Sequence, residues 1–217
     1  MPNLTEITAW TLIKSGGAIM VPILLSSVFA VGIVIEKLIF FNAIKTNTDE
    51  LKNKVFDCLK NNKIKEAIQL CDSNPAPVAK ILKAGIIKFG CSREEIKEQI
   101  EAASLYEIPR LENHLDALAT IAHISPLLGF LGTVLGMTNC FHSMQARAAS
   151  MNPLMPQDLA GGVFEALITT IAGLMVAIPS YIAYNYCVHR VHHFVLQMEQ
   201  TATELVNFMC QVTPAQN

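Results

Sequence analysis

The chain has 217 residues, of which 52% are hydrophobic and 16% charged, with a net charge of −2; ordinary soluble domains carry roughly 25% charged residues. No basic stripe or aromatic platform exists for nucleic acid, and the charges crowd into residues 45–116, as in a membrane protein with one water-exposed lobe. The six cysteines (Cys58, Cys71, Cys91, Cys140, Cys187 and Cys210) are scattered without a CxxC pair, which argues against a disulfide framework or a zinc site and fits a reducing cytoplasm.

The chain begins MPNLTEITAW, acidic where a signal peptide would be basic. The apolar stretch that follows ends at Glu36–Lys37 instead of a small-residue cleavage site, so it reads as a retained span. Residues 1–14 are expected outside the membrane and 15–41 as the first transmembrane helix, because Ser15 to Ile35 carries no Asp, Glu, Lys or Arg and about 20 apolar residues cross a bilayer. Glu36 and Lys37 mark the end of that span.

Residues 42–114 read as a helical cytoplasmic lobe. Leu51, Val55 and Leu59 keep helical spacing, as do Ile64, Ala67, Ile68 and Cys71. Asn74-Pro75-Ala76-Pro77 breaks the chain. Val78, Ile81, Leu82 and Ile86 begin another amphipathic helix that ends at Gly90. Ser92-Arg93-Glu94-Glu95 is a capping box. The helix it starts is predicted to run into the second span with a kink at Pro109.

The second span is placed at 115–145. A fully helical run from Ala117 to Ala146 would be about 45 Å long, more than the hydrocarbon core, so it must tilt or project into water. A short loop, 146–160, precedes a third span at 161–188, and 189–217 continues as an amphipathic helical tail. The 42–114 segment holds twelve Lys and Arg, whereas the 147–160 stretch holds only Arg147 and the N-terminal segment only Lys14. By the positive-inside rule the N-terminus lies outside, and both the lobe and the C-terminus lie in the cytoplasm. The expected fold class is an all-α membrane protein with three transmembrane helices and a helical lobe.

Polar side chains within the membrane need a reason. The second span carries Thr120, His123, Ser125, Thr133, Thr138 and Asn139, with Gly129, Gly132 and Gly136 on or near one face. Such small residues let helices pack closely. The third carries Glu165, Thr169, Thr170, Gly173 and Pro179. Two readings of Thr133, Thr169 and Thr170 stand side by side. Their hydroxyls bond back to their own helix carbonyls, or they line a polar track that passes protons or a small cation through ordered water. Glu165 either complements the helix dipole in the first turn or accepts protons at a pore mouth. His123 is a hydrogen-bonded packing residue or a proton relay. His189, His192 and His193 lack the Cys and carboxylate company of a metal site and read as a juxtamembrane patch. No GxSxG, Walker loop or HExxH occurs, nor any paired acids at useful spacing, so no enzyme and no cofactor is expected.

The segment LATIAHISPLLGFLGTVLGM, Leu118–Met137, and the segment AGGVFEALITTIAGLMVAIP, Ala160–Pro179, followed by Tyr184–Asn185, resemble the second- and third-span signatures of the MotA/TolQ/ExbB proton-channel family. Gly16–Gly17, Met20, Pro22 and Glu36–Lys37 resemble its first span, and EIPRLE, Glu107–Glu112, its lead-in helix. The resemblance implies a homopentameric ring enclosing the single spans of two ExbD- or TolR-like partner chains, whose membrane Asp carries the proton. It places Thr133 and Thr170 in the pore lining, with Thr169 as a further candidate, and Glu165 in its periplasmic portion. Gly129, Gly132, Gly136, Gly173 and Pro179 are the packing candidates. Proton flow would energise an outer-membrane or periplasmic process such as TonB-dependent transport, through a TonB- or TolA-like protein.

Phe164, His123, Ser125 and Asn139 depart from the family pattern. The chain lacks the extra N-terminal span of MotA-type flagellar stators, which favours the ExbB/TolQ branch. The coupling ion is expected to be a proton, with a sodium-coupled or motility stator as one alternative. A purely structural membrane scaffold is another; it predicts that Glu165 and the threonines tolerate Ala.

Overall fold

The computed structural model describes residues 16–44, 48–150 and 156–212. The expected outer segment 1–14, the middle of the 146–160 loop and the last five residues of the tail lie outside the described residues. Among the described residues seven helices follow in order: α1 (Met20–Ala43), α2 (Thr48–Lys60), α3 (Ile64–Asp72), α4 (Pro77–Ile87), α5 (Arg93–Glu112), α6 (Leu115–Ala149) and α7 (Pro156–Val212). The described residues are all helix and connecting turns. Three of the helical runs are long and apolar enough to cross a membrane.

By packing, the chain divides into two units, one of Met1–Ile35 with His114–Asn185, the other of Glu36–Asn113 with Tyr186–Asn217. The first unit is built from apolar helix. Val28 and Phe29 of α1, Leu127 and Phe130 of α6, and Met175 and Ile182 of α7 are all exposed. A soluble protein would hide such surface; a bilayer covers it. What the first unit buries is mostly small: Ala30, Ala122, Ser125, Ala166, Thr169 and Ala177, with Gly129, Gly132 and Gly136. Helix association in lipid rests on close van der Waals contact, since lipid tails are as apolar as Leu.

The second unit follows water-soluble rules. Its core is Leu51, Val55 and Leu59 of α2, Ala67 and Cys71 of α3, Val78, Ile81, Leu82 and Ile86 of α4, Ile96 and Ile100 of α5, and Met198, Leu205 and Met209 of α7. Each large aliphatic side chain buried there contributes about 1.5–3 kcal/mol. Phe56 stacks on Phe208 with ring centroids 5.0 Å apart. Pro77 starts α4 at a first-turn position, where its missing N–H costs nothing. One half of the capping box forms, the Glu95 N–H donating to Ser92 Oγ at 3.3 Å, while the Glu95 carboxylate accepts from the Ser92 hydroxyl at 3.1 Å.

Two features of this unit differ from the sequence expectation. Helix α5 includes Pro109 but ends at Glu112 instead of running on into the second span; the break is at Asn113–His114, where His114 adopts φ 61 in the left-handed region. Proline removes one helical hydrogen bond, and here it stands on an exposed face; a left-handed residue ends the helix outright. Lys37 does more than mark the end of a span. It is only 2% exposed, and its ammonium donates to the Leu111 carbonyl at 3.0 Å, beside the rings of Phe40 and Phe41. Leu111 is in the last turn of α5, where carbonyls have no intrahelical donor and a cation is favoured.

Candidate functional site

The site candidates gather where α6 packs antiparallel on α7 within the first unit. Glycine makes the approach possible. A Cβ on Gly173 would stand 2.6 Å from the Ser125 carbonyl oxygen and 3.0 Å from Gly129 Cα. One on Gly129 would meet the Thr169 carbonyl oxygen at 3.1 Å and Thr170 Cα at 3.2 Å. One on Gly136 would meet the Gly162 carbonyl oxygen at 2.8 Å. The seam is therefore backbone against backbone over three helical turns. Gly162, on the opposing helix, faces Gly136 and Cys140 and was not among the sequence candidates. Pro179 is exposed on α7.

The three threonines separate into different environments. Thr169 is buried, 1% exposed, and fills the notch above Gly132. Its hydroxyl lies 2.9 Å from the Ala166 carbonyl and 3.1 Å from the Glu165 carbonyl. Thr170 is half-buried, and its hydroxyl reaches across the seam to the Gly129 carbonyl at 3.2 Å, with its own Ala166 carbonyl at 3.3 Å. Thr133 is half-buried on α6 and donates to the Phe130 carbonyl. The back-bonding reading thus holds for Thr133 and Thr169, whereas the single Thr170 hydrogen is divided between its own helix and the Gly129 carbonyl across the seam; the oxygen lone pairs are left to accept. Thr169 spends its side chain on the seam, whereas Thr133 and Thr170 keep part of theirs exposed.

Glu165 sits half-buried on α7, one turn from Thr169 toward the helix N-terminus. Its carboxylate lies directly over Gly17, so that a Cβ at Gly17 would collide with Glu165 Oε1. Gly17 has φ +64, a conformation that costs an L-residue roughly 1–2 kcal/mol. A Cβ on Gly16, one residue earlier, would touch Thr169 Cγ2 at 3.4 Å. The glycine pair before α1 therefore forms a floor beneath Glu165 and Thr169. Periodicity within one helix could not reveal this pairing; the only sequence signal was the adjacent glycines at the mouth of a span. Among the described residues, no group of three or more His, Cys, Asp or Glu is placed to hold a metal ion.

A family model described as the MotA/TolQ/ExbB proton channel family matches residues 73–200. The chain is 33% identical over 190 residues to the biopolymer transport protein ExbB-like 3 of Synechocystis sp., covering 86% of this chain and 89% of that one. It is 30% identical over 204 residues to the Tol-Pal system protein TolQ of Pseudomonas aeruginosa, covering 85% of each. It is 28% identical over 184 residues to the biopolymer transport protein ExbB of Neisseria gonorrhoeae, covering 78% of this chain and 80% of that one. The chain belongs to the MotA/TolQ/ExbB proton channel family.

Proposed function

We propose that this member of the family is the ring subunit of an inner-membrane motor driven by the proton-motive force. Five copies surround the spans of two ExbD- or TolR-like chains, with the N-terminus in the periplasm and the Glu36–Asn113 unit and C-terminus in the cytoplasm. Proton flow past the ring moves the partner, which energises a periplasmic or outer-membrane process through a TonB- or TolA-like protein.

The observation that carries this reading is the arrangement around the seam. Glu165 is held over Gly17, and Thr170 is fixed by the Gly129 carbonyl. Thr133 offers an accepting oxygen on the neighbouring helix. A carboxylate and two hydroxyls with spare lone pairs, set in apolar walls, are the parts a hydrogen-bonded proton path requires. The same parts would serve a sodium ion, and partner-dependent flux in sodium-free buffer separates the two.

The test is co-expression with a single-span chain that carries one Asp in its span, followed by native mass measurement and proton flux in proteoliposomes. Five copies with two partner chains, and flux that falls at least tenfold in Glu165→Gln and Thr170→Val, are the expected outcome. A partner-free monomer or dimer, stable across mild detergents, would overturn it in favour of a membrane scaffold.

A further inference from the structure

His123 stands out because α6 places an ionisable ring on the exposed face of a membrane span. Its Nδ1 lies 2.7 Å from the Ala119 carbonyl oxygen. A carbonyl only accepts, so Nδ1 carries the hydrogen and Nε2 keeps a free lone pair. The ring makes an edge contact with Tyr181 of α7, with centroids 6.1 Å apart and planes at 81°. Tyr181 is half exposed. Both residues belong to the same packing unit as the seam.

Register ties this pair to the candidate path. Tyr181 follows Thr170 by three turns and lies about 20° from it around α7, roughly 16 Å along the axis. His123 precedes Thr133 on α6 by roughly 15 Å and lies about 80° around it. The two helices therefore carry a second polar station at a similar axial distance from the first, displaced around α6. Leu127 and Phe130 occupy the exposed stretch between them on α6. Below His123, toward the start of α6, Thr120 and Asp116 continue the same face at spacings of three and four residues. Both are exposed, and the Thr120 hydroxyl donates to the Asp116 carbonyl at 2.7 Å. Hydrocarbon is a poor neighbour for this face. An imidazole nitrogen without a partner there costs several kcal/mol, and ionisable side chains in spans almost always face an aqueous or protein-lined interior.

We infer that His123, braced by Tyr181, is a proton relay at the far end of the path from Glu165, handing protons to the Thr120–Asp116 step. Nε2 accepts a proton from a water or from the partner's carboxylic acid and becomes imidazolium while Nδ1–H stays on Ala119. The same Nε2 proton then passes to water along Thr120 and Asp116, and the neutral tautomer returns. Tyr181 holds the ring plane from the opposite helix and is the titratable group facing it from α7. The relay rests on the motor reading above, but the site's access to water does not.

The test has two readouts. The full chain, labelled with 15N-histidine in nanodiscs, gives the His123 signal by its loss in His123→Asn. The hydrogen on its ring is expected to exchange with water, as a side chain facing an aqueous interior requires. A ring sealed from water exchange would overturn the proposal. Flux is then measured with the single-span partner for wild type and for His123→Ala, with and without imidazole in the buffer. The expected result is a loss of about tenfold or more that imidazole restores, a rescue that a packing role would not produce. Unchanged flux in His123→Ala overturns the relay and leaves the motor standing. Absent flux in the wild type overturns the motor, while the exchange measurement still decides whether His123 meets water.

Discussion

Gly173→Ala is the sharpest test of the α6–α7 seam. The added methyl would stand 2.6 Å from the Ser125 carbonyl oxygen, about 0.8 Å inside ordinary carbon–oxygen contact. The obstacle is backbone, so no rotamer change relieves it and the helices must separate. A separation of that size stretches the hydrogen bond from Thr170 to the Gly129 carbonyl, now 3.2 Å, beyond hydrogen-bonding range. The natural control is Gly161→Ala, because a Cβ at Gly161 meets nothing within 4 Å. Both changes gain the same helix propensity, about 1 kcal/mol, so that contribution cancels between them. What remains is the overpacking cost, about 1–3 kcal/mol. The assay is reversible unfolding of the two purified variants in mixed micelles. Gly173→Ala should fall below Gly161→Ala by that amount. Equal stability would refute a seam built on backbone contact.

Gly17→Ala should impair function more than Gly32→Ala. The first forces a side chain into a left-handed position against Glu165, whereas a Cβ at Gly32 meets open space; complementation of a deletion strain, at matched membrane levels, reads the difference. Cys71 should resist alkylation by a water-soluble maleimide at neutral pH while the exposed Cys91 reacts. Burial among the packed helices pushes the Cys71 thiol up to about 11. The sign follows from the raised folded value: its contribution to stability is full below the unfolded thiol's value near 9 and is lost as pH rises toward about 11. Unfolding midpoints across that window should decline less in Cys71→Ala than in wild type, and parallel curves would count against burial as the cause.

The three spans and the lobe were legible because they depend on composition and short-range spacing. Charge-free apolar runs of about 20 residues seldom arise except where a helix crosses a bilayer, and Leu51, Val55 and Leu59 repeat at a helical period. Gly129, Gly132 and Gly136 could be placed on one face for the same reason. Their opposite number, Gly162, could not, because nothing in one helix states the register of its neighbour. The same limit hid the two long-range contacts with the largest consequences. Lys37 meets a carbonyl 74 residues away, and Gly17 lies under Glu165. Each joins a residue near one end of α1 to a later helix, and each involves a type that reads blandly by itself, a lysine at a span's end and a glycine before one.

Both contacts matter for how the chain would work. Glu165 rests on a glycine floor instead of projecting freely, so movement of the segment before α1 would move the carboxylate's surroundings. Lys37 joins α1 to the last turn of α5, just before the left-handed turn at His114 from which α6 begins. Helix α1 therefore has one packed neighbour beside Glu165 and another at the α5 terminus. The two contacts are separate constraints, one within each unit: the glycine floor fixes the surroundings of the Glu165 carboxylate, and the Lys37 ammonium closes the carbonyl end of α5, where a cation is favoured.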